Sequence, residues 1–487
     1  MTKMKYIVVG LFSLLTITSC DKFLTVNPKT EMTQEVLFSS QTGFTDALTG
    51  VYIQMKGTSI YGQAMSWTTI EQLISNWDVT TNTTEQRTGL YNYTDAGVQD
   101  SMSAIFAAEY SVVAGVNAIL AQIDAKKAIF TTPGMYETIK GECLALRAYC
   151  HFDILRLFGP VPSVTTGDNI LPYVTTLSKV ANPQINFADF KVLLLKDLTD
   201  AEALLKDIDP ITLYSLAALG APGPSGSFNP SDKYLAYRFF RMNYFAIKAL
   251  QARAYLWFND PASAYTAAKL VIDAKNPDGS TKFRLGAASD MTAKDYALSC
   301  EQIFALYDWN LYARYNSLFA NGTLKKGTAE TTVKTQLYGN TGTDIREANL
   351  WELLTQSNQA KTYVFKKNKQ DAATASLFVN DFKRLPMLRI SEMYLIAVET
   401  APLADAQLLW DAFRTARNIA KTTLVADPIQ IQAALMPEYR KEFFGEGQAF
   451  FTYKRVNAIK ASVLWTPTAA TINYVVPLPL GELVTTF

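Results

Sequence analysis

The stretch YETIKGECLALRAYCHFDILRLF, residues 136–158, sets Cys143, Leu146, Cys150, Ile154 and Leu157 on one apolar stripe at helical spacing. Upstream, from Ser101, the residues Ile105, Ala108, Val112, Val116, Ile119 and Ile123 recur at the same spacing, and Thr132-Pro133-Gly134 separates the two runs. This predicts an antiparallel helix pair. The pattern returns in 237–258 with 261–275, where Asp260 is a ready N-cap, Pro261 takes the first helical position and Asn276-Pro277 ends the run. Ala252, Ala254, Ala264, Ala267 and Ala268 are small residues where two helices must approach closely. A third pair falls at 388–401 and 404–419. Helix pairs in both halves of the chain predict a helical solenoid core of tetratricopeptide type.

Between the pairs run long irregular stretches. Residues 159–184 repeat Pro and Thr, 207–232 contain Ala221-Pro222-Gly223-Pro224-Ser225-Gly226, and 320–349 are rich in Gly, Thr, Asn and Lys. Loops of that length carry function or lack order, and here they are expected to form a second layer over the solenoid. The short apolar runs 302–307 and 474–478 are candidate strands in that layer.

The chain of 487 residues has 45 basic and 44 acidic side chains and is 49% hydrophobic, which is too apolar for disorder and too balanced for nucleic-acid binding. With 25 Tyr, 27 Phe and 7 Trp, there are enough large flat side chains to fill a core and still furnish a binding face. Lys3 and Lys5, the apolar run 6–17 and the small polar residues before Cys20 read as a secretory signal peptide. Ile17-Thr18-Ser19-Cys20 has the form of a lipobox, so residues 1–19 are expected to be removed and Cys20 acylated. An ordinary signal peptide with a chance cysteine is the alternative. Several acyl chains make a stable anchor where one is marginal. Residues 20–40 then read as a lipidated tether, and no later segment is expected to approach transmembrane length, so the protein is expected to be anchored to a membrane and not to span it. Only Cys143, Cys150 and Cys300 remain, an odd number that excludes a disulfide framework. Cys143 and Cys150 lie about 10.5 Å apart along one helix, too far to bridge, and are expected to be buried.

There is no phosphate-binding G-x-x-x-x-G-K-[ST], no G-x-G-x-x-G after a strand, no H-E-x-x-H and no G-x-S-x-G. The single histidine, His151, excludes any site needing two imidazoles, and beside an apolar stripe it reads as a hydrogen-bonded structural residue. No catalytic residue, metal site or cofactor is expected. Paired carboxylates are the remaining catalytic route. Glu438, Glu442 and Glu446, near Arg440, Lys441, Lys454 and Arg455, are the densest acids, and an ion-pair network holding the last helix is the favoured reading.

Aromatic residues among polar ones are the stronger signal. Trp77-Asp78, Tyr91-Asn92-Tyr93 and the run from Asp308 to Asn316 set ring faces beside amides, carboxylates and a guanidinium. Carbohydrate recognition needs that combination: a ring to stack on the C–H face of a pyranose and planar groups for its hydroxyls. The candidate ligand residues are Trp309, Asp308, Asn310, Tyr312, Tyr315, Trp77, Asp78, Tyr91 and Tyr93, with 308–316 the leading segment. The competing reading is that these rings cap the core beneath long loops.

These pieces converge. Cys20-Asp21-Lys22-Phe23-Leu24, Gly43-Phe44, Gly50-Val51-Tyr52, Tyr110 with Asn117, Gly141 through Tyr149, and Phe158-Gly159-Pro160-Val161-Pro162 occur in order. Ala249 through Leu256, Leu388 through Ile396 and Arg414 through Arg417 follow, and then Glu438-Tyr439-Arg440-Lys441-Glu442-Phe443-Phe444-Gly445-Glu446-Gly447, Lys454-Arg455, Pro477-Leu478-Pro479 and Glu482. In this the chain resembles the SusD/RagB family of nutrient-uptake outer-membrane lipoproteins. The resemblance implies a mainly α fold: a tetratricopeptide-like helical-repeat core of about four helix pairs, a loop-rich variable half and a few short strands. One domain over 41–487 is expected, with the repeat half near 41–160, 233–275 and 385–460 and the ligand-binding half near 160–232 and 276–384. The implied role is non-enzymatic: binding a glycan or other nutrient at the cell surface, anchored to the outer membrane, and delivering it to a SusC-like TonB-dependent transporter. Ala449, Thr452 and Tyr439 stand where the family usually has Arg, Asp and Arg. Losing both members of an ion pair together leaves no charge unpaired, so the fold is expected to tolerate it. The rival functions are a lipid-anchored glycoside hydrolase and a tetratricopeptide-type adaptor without a small ligand.

Overall fold

The computed structural model describes residues 33–355, 361–370 and 383–483. The signal segment 1–19, Cys20 and the start of the tether lie outside the described residues. The described end of the tether is folded: Thr33 caps a short helix, Gln34–Leu37, and Phe38 is buried against Phe44 with ring centroids 4.8 Å apart. The body therefore begins before residue 41.

Among the described residues, eight helices stack in consecutive pairs: Gln41–Met55 with Ala96–Ile123, Met135–Phe158 with Phe187–Leu205, Tyr244–Trp257 with Pro261–Ile272, and Ile390–Thr400 with Leu403–Ala416. Each pair also packs on the next, so one continuous core runs through the stack. The fold is mainly α and tetratricopeptide-like, as expected, but its pairing is shifted. Met135–Phe158 packs on Ala96–Ile123 and equally on Phe187–Leu205, a helix inside the stretch that sequence reading gave to the variable half. Its buried positions Phe190, Leu194, Leu198, Ala201 and Leu205 recur every three or four residues.

Local chemistry sets the helix starts. Asp95, Asn186, Asn243 and Asp260 each accept a backbone N–H in the first turn, and Pro261 follows Asp260 at the first helical position. Gly134, with φ +77°, makes the left-handed turn into the central helix that only glycine adopts without strain. Ala96–Ile123 is long and apolar enough to cross a membrane, which corrects the sequence expectation that no later segment is. Packing decides otherwise, because Val98, Met102, Ile105, Val112, Val116 and Ile119 all turn into the core between neighbouring helices.

Among the described residues the strands form three antiparallel pairs: Asn169–Leu171 with Ile185–Asn186, Gln302–Tyr307 with Arg384–Arg389, and Trp351–Thr355 with Lys361–Phe365. The run 474–478 is irregular. Cys143 and Cys150 are fully buried thiols. His151 is also fully buried; its Nδ1 sits 2.9 Å from the Arg147 carbonyl, its Nε2 accepts the Val174 N–H at 2.8 Å, and its ring stacks on Tyr173 at 4.0 Å. Burial holds its pKa down near about 3, so it is neutral and structural.

The C-terminal acids do form a buried ion-pair network, with partners far off in sequence. Glu442 accepts from Arg417 at 2.7 Å, Arg389 at 2.7 Å and Arg346 at 3.1 Å, while Glu301 bridges Arg389 and Arg417 at 2.7 and 2.8 Å. Glu446 pairs with Arg389 and Lys367, and Glu438 with Arg346 and Lys441. Of the nearby cations only Lys441 joins in. Arg440 reaches the Asn76 side chain at 2.6 Å, Lys454 donates to the carbonyls of Leu157 and Gly159, and Arg455 pairs with Glu399. Ala449 and Thr452 are buried.

Candidate functional site

A cleft of about 650 Å³ opens between two walls. One runs from Thr68 to Thr88 through the short helices Thr69–Leu73 and Thr84–Gly89; the other is the 318–328 segment after strand Gln302–Tyr307. Asp78 joins them. Its N–H donates to the Lys325 carbonyl at 2.9 Å, its carboxylate accepts the Gly327 N–H at 2.5 Å, and Lys326 pairs with it at 3.1 Å. Gly327 has φ +69°, the left-handed conformation that turns its N–H to Asp78, and a side chain there would collide with Thr332. Lys326 also donates to the Ser75 carbonyl at 3.1 Å, so the walls are laced together at their base.

The lining is mostly hydroxyl and amide. Thr68, Thr69, Thr80, Thr83, Thr84 and Thr88 face Thr323 and Thr328 across the cleft, beside Gln63 and Gln72, with Val79, Leu318 and Leu324 supplying apolar surface. Gln72 is 4% exposed and its Oε1 has no hydrogen-bond partner. A buried acceptor without a donor is costly, and this one lies just beneath the cleft lining.

The structure divides the predicted ligand residues into three places. Trp77 and Asp78 line the cleft, but Trp77 is only 3% exposed, its Nε1 donates to the Trp67 carbonyl and its ring edges pack on Phe319 and Phe444. Tyr315 is buried and stacks on Phe319 at 5.2 Å, so these rings form an aromatic floor under the cleft, with no open face for a sugar. Tyr91 and Tyr93 are buried edge to face against each other, with the Tyr93 hydroxyl on the Asn473 carbonyl, away from the cleft lining. Asp308 is buried too, accepting the Asn310 N–H at 3.0 Å and facing Arg314 at 3.4 Å. Tyr312 is half-buried, Asn310 is exposed and Trp309 is 48% exposed, with Lys383 Nζ 3.5 Å from its ring centroid. The competing reading thus describes Trp77, Tyr91, Tyr93 and Tyr315, while Trp309 keeps a ring in solvent. Sequence reading passed over the cleft's threonines; the hydroxyl-rich run from Thr80 to Thr88 was the available signal.

Known proteins are similar to part of this sequence and share its architecture. Residues 22–215 match the SusD-like family model described as starch-binding and associating with the outer membrane. A SusD-like protein of Formosa agariphila is 29% identical over 173 residues, 34% of this chain and 32% of that one, so the match spans about a third of the length of this curated relative. A SusD superfamily protein of Bacteroides thetaiotaomicron superposes with a TM-score of 0.67 at 18% identity, over 91% of this chain and 97% of its own. A laminarin-binding SusD-like protein does so with a TM-score of 0.62 at 16% identity, over 92% and 98%. Residues 22–215 are thus similar in sequence to the SusD-like family, and the described chain shares the fold of these solved structures.

Proposed function

We propose that the protein binds a glycan in the cleft between residues 68–88 and 318–328, does not cleave it, and passes it to a SusC-like TonB-dependent transporter. In this reading residues 1–19 are removed, acyl chains on Cys20 anchor the protein to the outer membrane at the cell surface, and the body through residue 487 is one domain. The observation that carries the reading is the cleft's lining of threonine hydroxyls and the amide side chains Gln63 and Gln72, groups that match the donors and acceptors of a saccharide. The shared fold of a laminarin-binding protein and the starch-binding description of the family support the same ligand class.

Binding without turnover follows from how Asp78 is used. A glycosidase needs two available carboxylates across the scissile bond, and of the two acids that line the cleft, Asp78 and Glu85, Asp78 is engaged by Lys326 and the Gly327 N–H as its brace. Calorimetric titration with laminarin and malto-oligosaccharides, beside a reducing-end assay, tests this. Gln72→Ala is expected to weaken binding roughly three- to tenfold, the worth of one hydrogen bond, with no reducing ends released. Product formation would overturn the reading. Loss of binding in Trp309→Ala with Gln72→Ala unchanged would move the site to the 308–316 segment.

A further inference from the structure

A second concavity, of about 320 Å³, lies between the end of helix Gln41–Met55, the 233–241 turn and the end of strand Gln302–Tyr307. It shares no lining residue with the glycan cleft. Among the described residues, three cations, Lys56, Lys233 and Arg241, line it beside the rings of Tyr234 and Tyr237, and no carboxylate does. The nearest acids are engaged by other partners, although Glu142 and Asp308 still favour the charged forms of Arg241 and Lys56. Glu142 pairs with Arg238 and accepts the Tyr52 and Tyr234 hydroxyls, Asp232 accepts the Tyr234 N–H and the Gln41 amide, and Asp308 faces Arg314.

Arg241 is the centre of the groove. Its guanidinium carbon lies 4.2 Å from the Tyr234 ring centroid and 4.8 Å from that of Tyr52, so the planar group is clamped between two rings. Its side chain makes one hydrogen bond among the described residues, a long one of 3.4 Å to the Tyr234 hydroxyl, and no ion pair. The Tyr52 clamp is itself fixed, since its hydroxyl donates to Glu142 at 2.7 Å and accepts the Met242 N–H at 2.8 Å. A half-buried guanidinium has lost part of its hydration, and here most of its N–H fork has no protein acceptor in return. The turn that presents it is strained: Tyr237 sits at φ +53°, where a bulky residue is an outlier, and its N–H is tied to the Leu219 carbonyl at 2.9 Å. Beside it, Lys56 Nζ donates to the Tyr307 carbonyl at 2.9 Å, which fixes a second charge at the mouth.

We propose that this groove is a second binding site, for an acidic saccharide unit: Arg241 takes two oxygens of a carboxylate or sulfate ester, and the tyrosine rings take the C–H face of the pyranose. The site gives the protein a preference for acidic glycans that the hydroxyl-lined cleft alone does not supply.

The test is calorimetric titration of the full-length protein with trigalacturonate, a 6-sulfated galactotriose and the unsulfated neutral galactotriose. At least one acidic oligomer is expected to bind tenfold or more tighter than the neutral one. Its affinity, unlike that of the neutral oligomer, should fall as salt rises from about 50 to about 500 mM. Which oligomer wins separates carboxylate from sulfate. Arg241→Gln should erase the preference while leaving neutral glycan binding intact, and Gln72→Ala should leave the preference in place, so the two sites fail separately. Equal affinity for acidic and neutral oligomers overturns the proposal. Should Arg241→Gln fold poorly by circular dichroism, Lys233→Gln at the exposed rim decides: a weaker, less salt-dependent acidic affinity supports the site, and an unchanged one overturns it.

Discussion

His151 shows how much one residue's surroundings set its chemistry. Both ring nitrogens face backbone groups and the ring stacks on Tyr173, so protonation would place a charge in the core beside Arg147. Because it is the only histidine, its imidazole signals are unambiguous in an NMR titration, and they are expected to stay unshifted from pH 8 down to about 5. The sign of the linkage follows. The folded pKa lies below the unfolded one, so the unfolded chain takes up the proton first and stability falls as pH drops below about 6.5. At pH 5 the loss is about 2 kcal/mol, measurable as a lower guanidinium midpoint. An imidazole shift centred near pH 6.5 would contradict the assignment. The structural role of His151 was legible in sequence because an apolar stripe flanked it. The burial of Trp77, Tyr91, Tyr93 and Tyr315 was not, since a ring beneath a loop and a ring on a loop share the same local sequence.

At the scale of elements, the network around Glu442 ties helix Pro428–Glu442 to strand Arg384–Arg389, helix Leu403–Ala416 and the 344–349 turn. Burial opposes ionisation of Glu442, but Arg417 and Arg389 outweigh it and hold the carboxyl well below its ordinary range. Burial likewise opposes ionisation of Glu438, and Arg346 then Lys441 bring it to about 2. These depressed values contribute stability that is present above the unfolded pKa of about 4.3 and lost as pH falls toward 2. Glu442→Gln leaves Arg417 and Arg389 short of a counter-charge and is expected to destabilise by about 3–5 kcal/mol, read as a lower denaturation midpoint at pH 7. A shift below about 1 kcal/mol would mean that Glu301 and Glu446 compensate. The helix pairs were readable because buried positions recur with the period of a helix. Phe187–Leu205 carries the same period, but it lies between the irregular stretches 159–184 and 207–232 and so fell inside the span assigned to the variable half. The distant arginines were out of reach, because proximity in sequence says nothing of Arg346, Arg389 or Arg417 reaching one carboxylate.

At the scale of the molecule, the described residues form a continuous stack of four helix pairs that carries a layer of loops and short strands. The cleft lies where the 68–88 loop meets the 318–328 segment, so it joins parts of the chain about half its length apart. Neither half contains the site alone, and Asp78 is the brace between them. The cleft's place in that assembly is tested most directly by hydrogen–deuterium exchange of the full-length protein, alone and saturated with the neutral oligosaccharide of highest affinity. The account predicts new protection in residues 68–88 and 318–328 together, with the helix stack unchanged. Protection confined to 308–316, or in only one wall of the cleft, would contradict it.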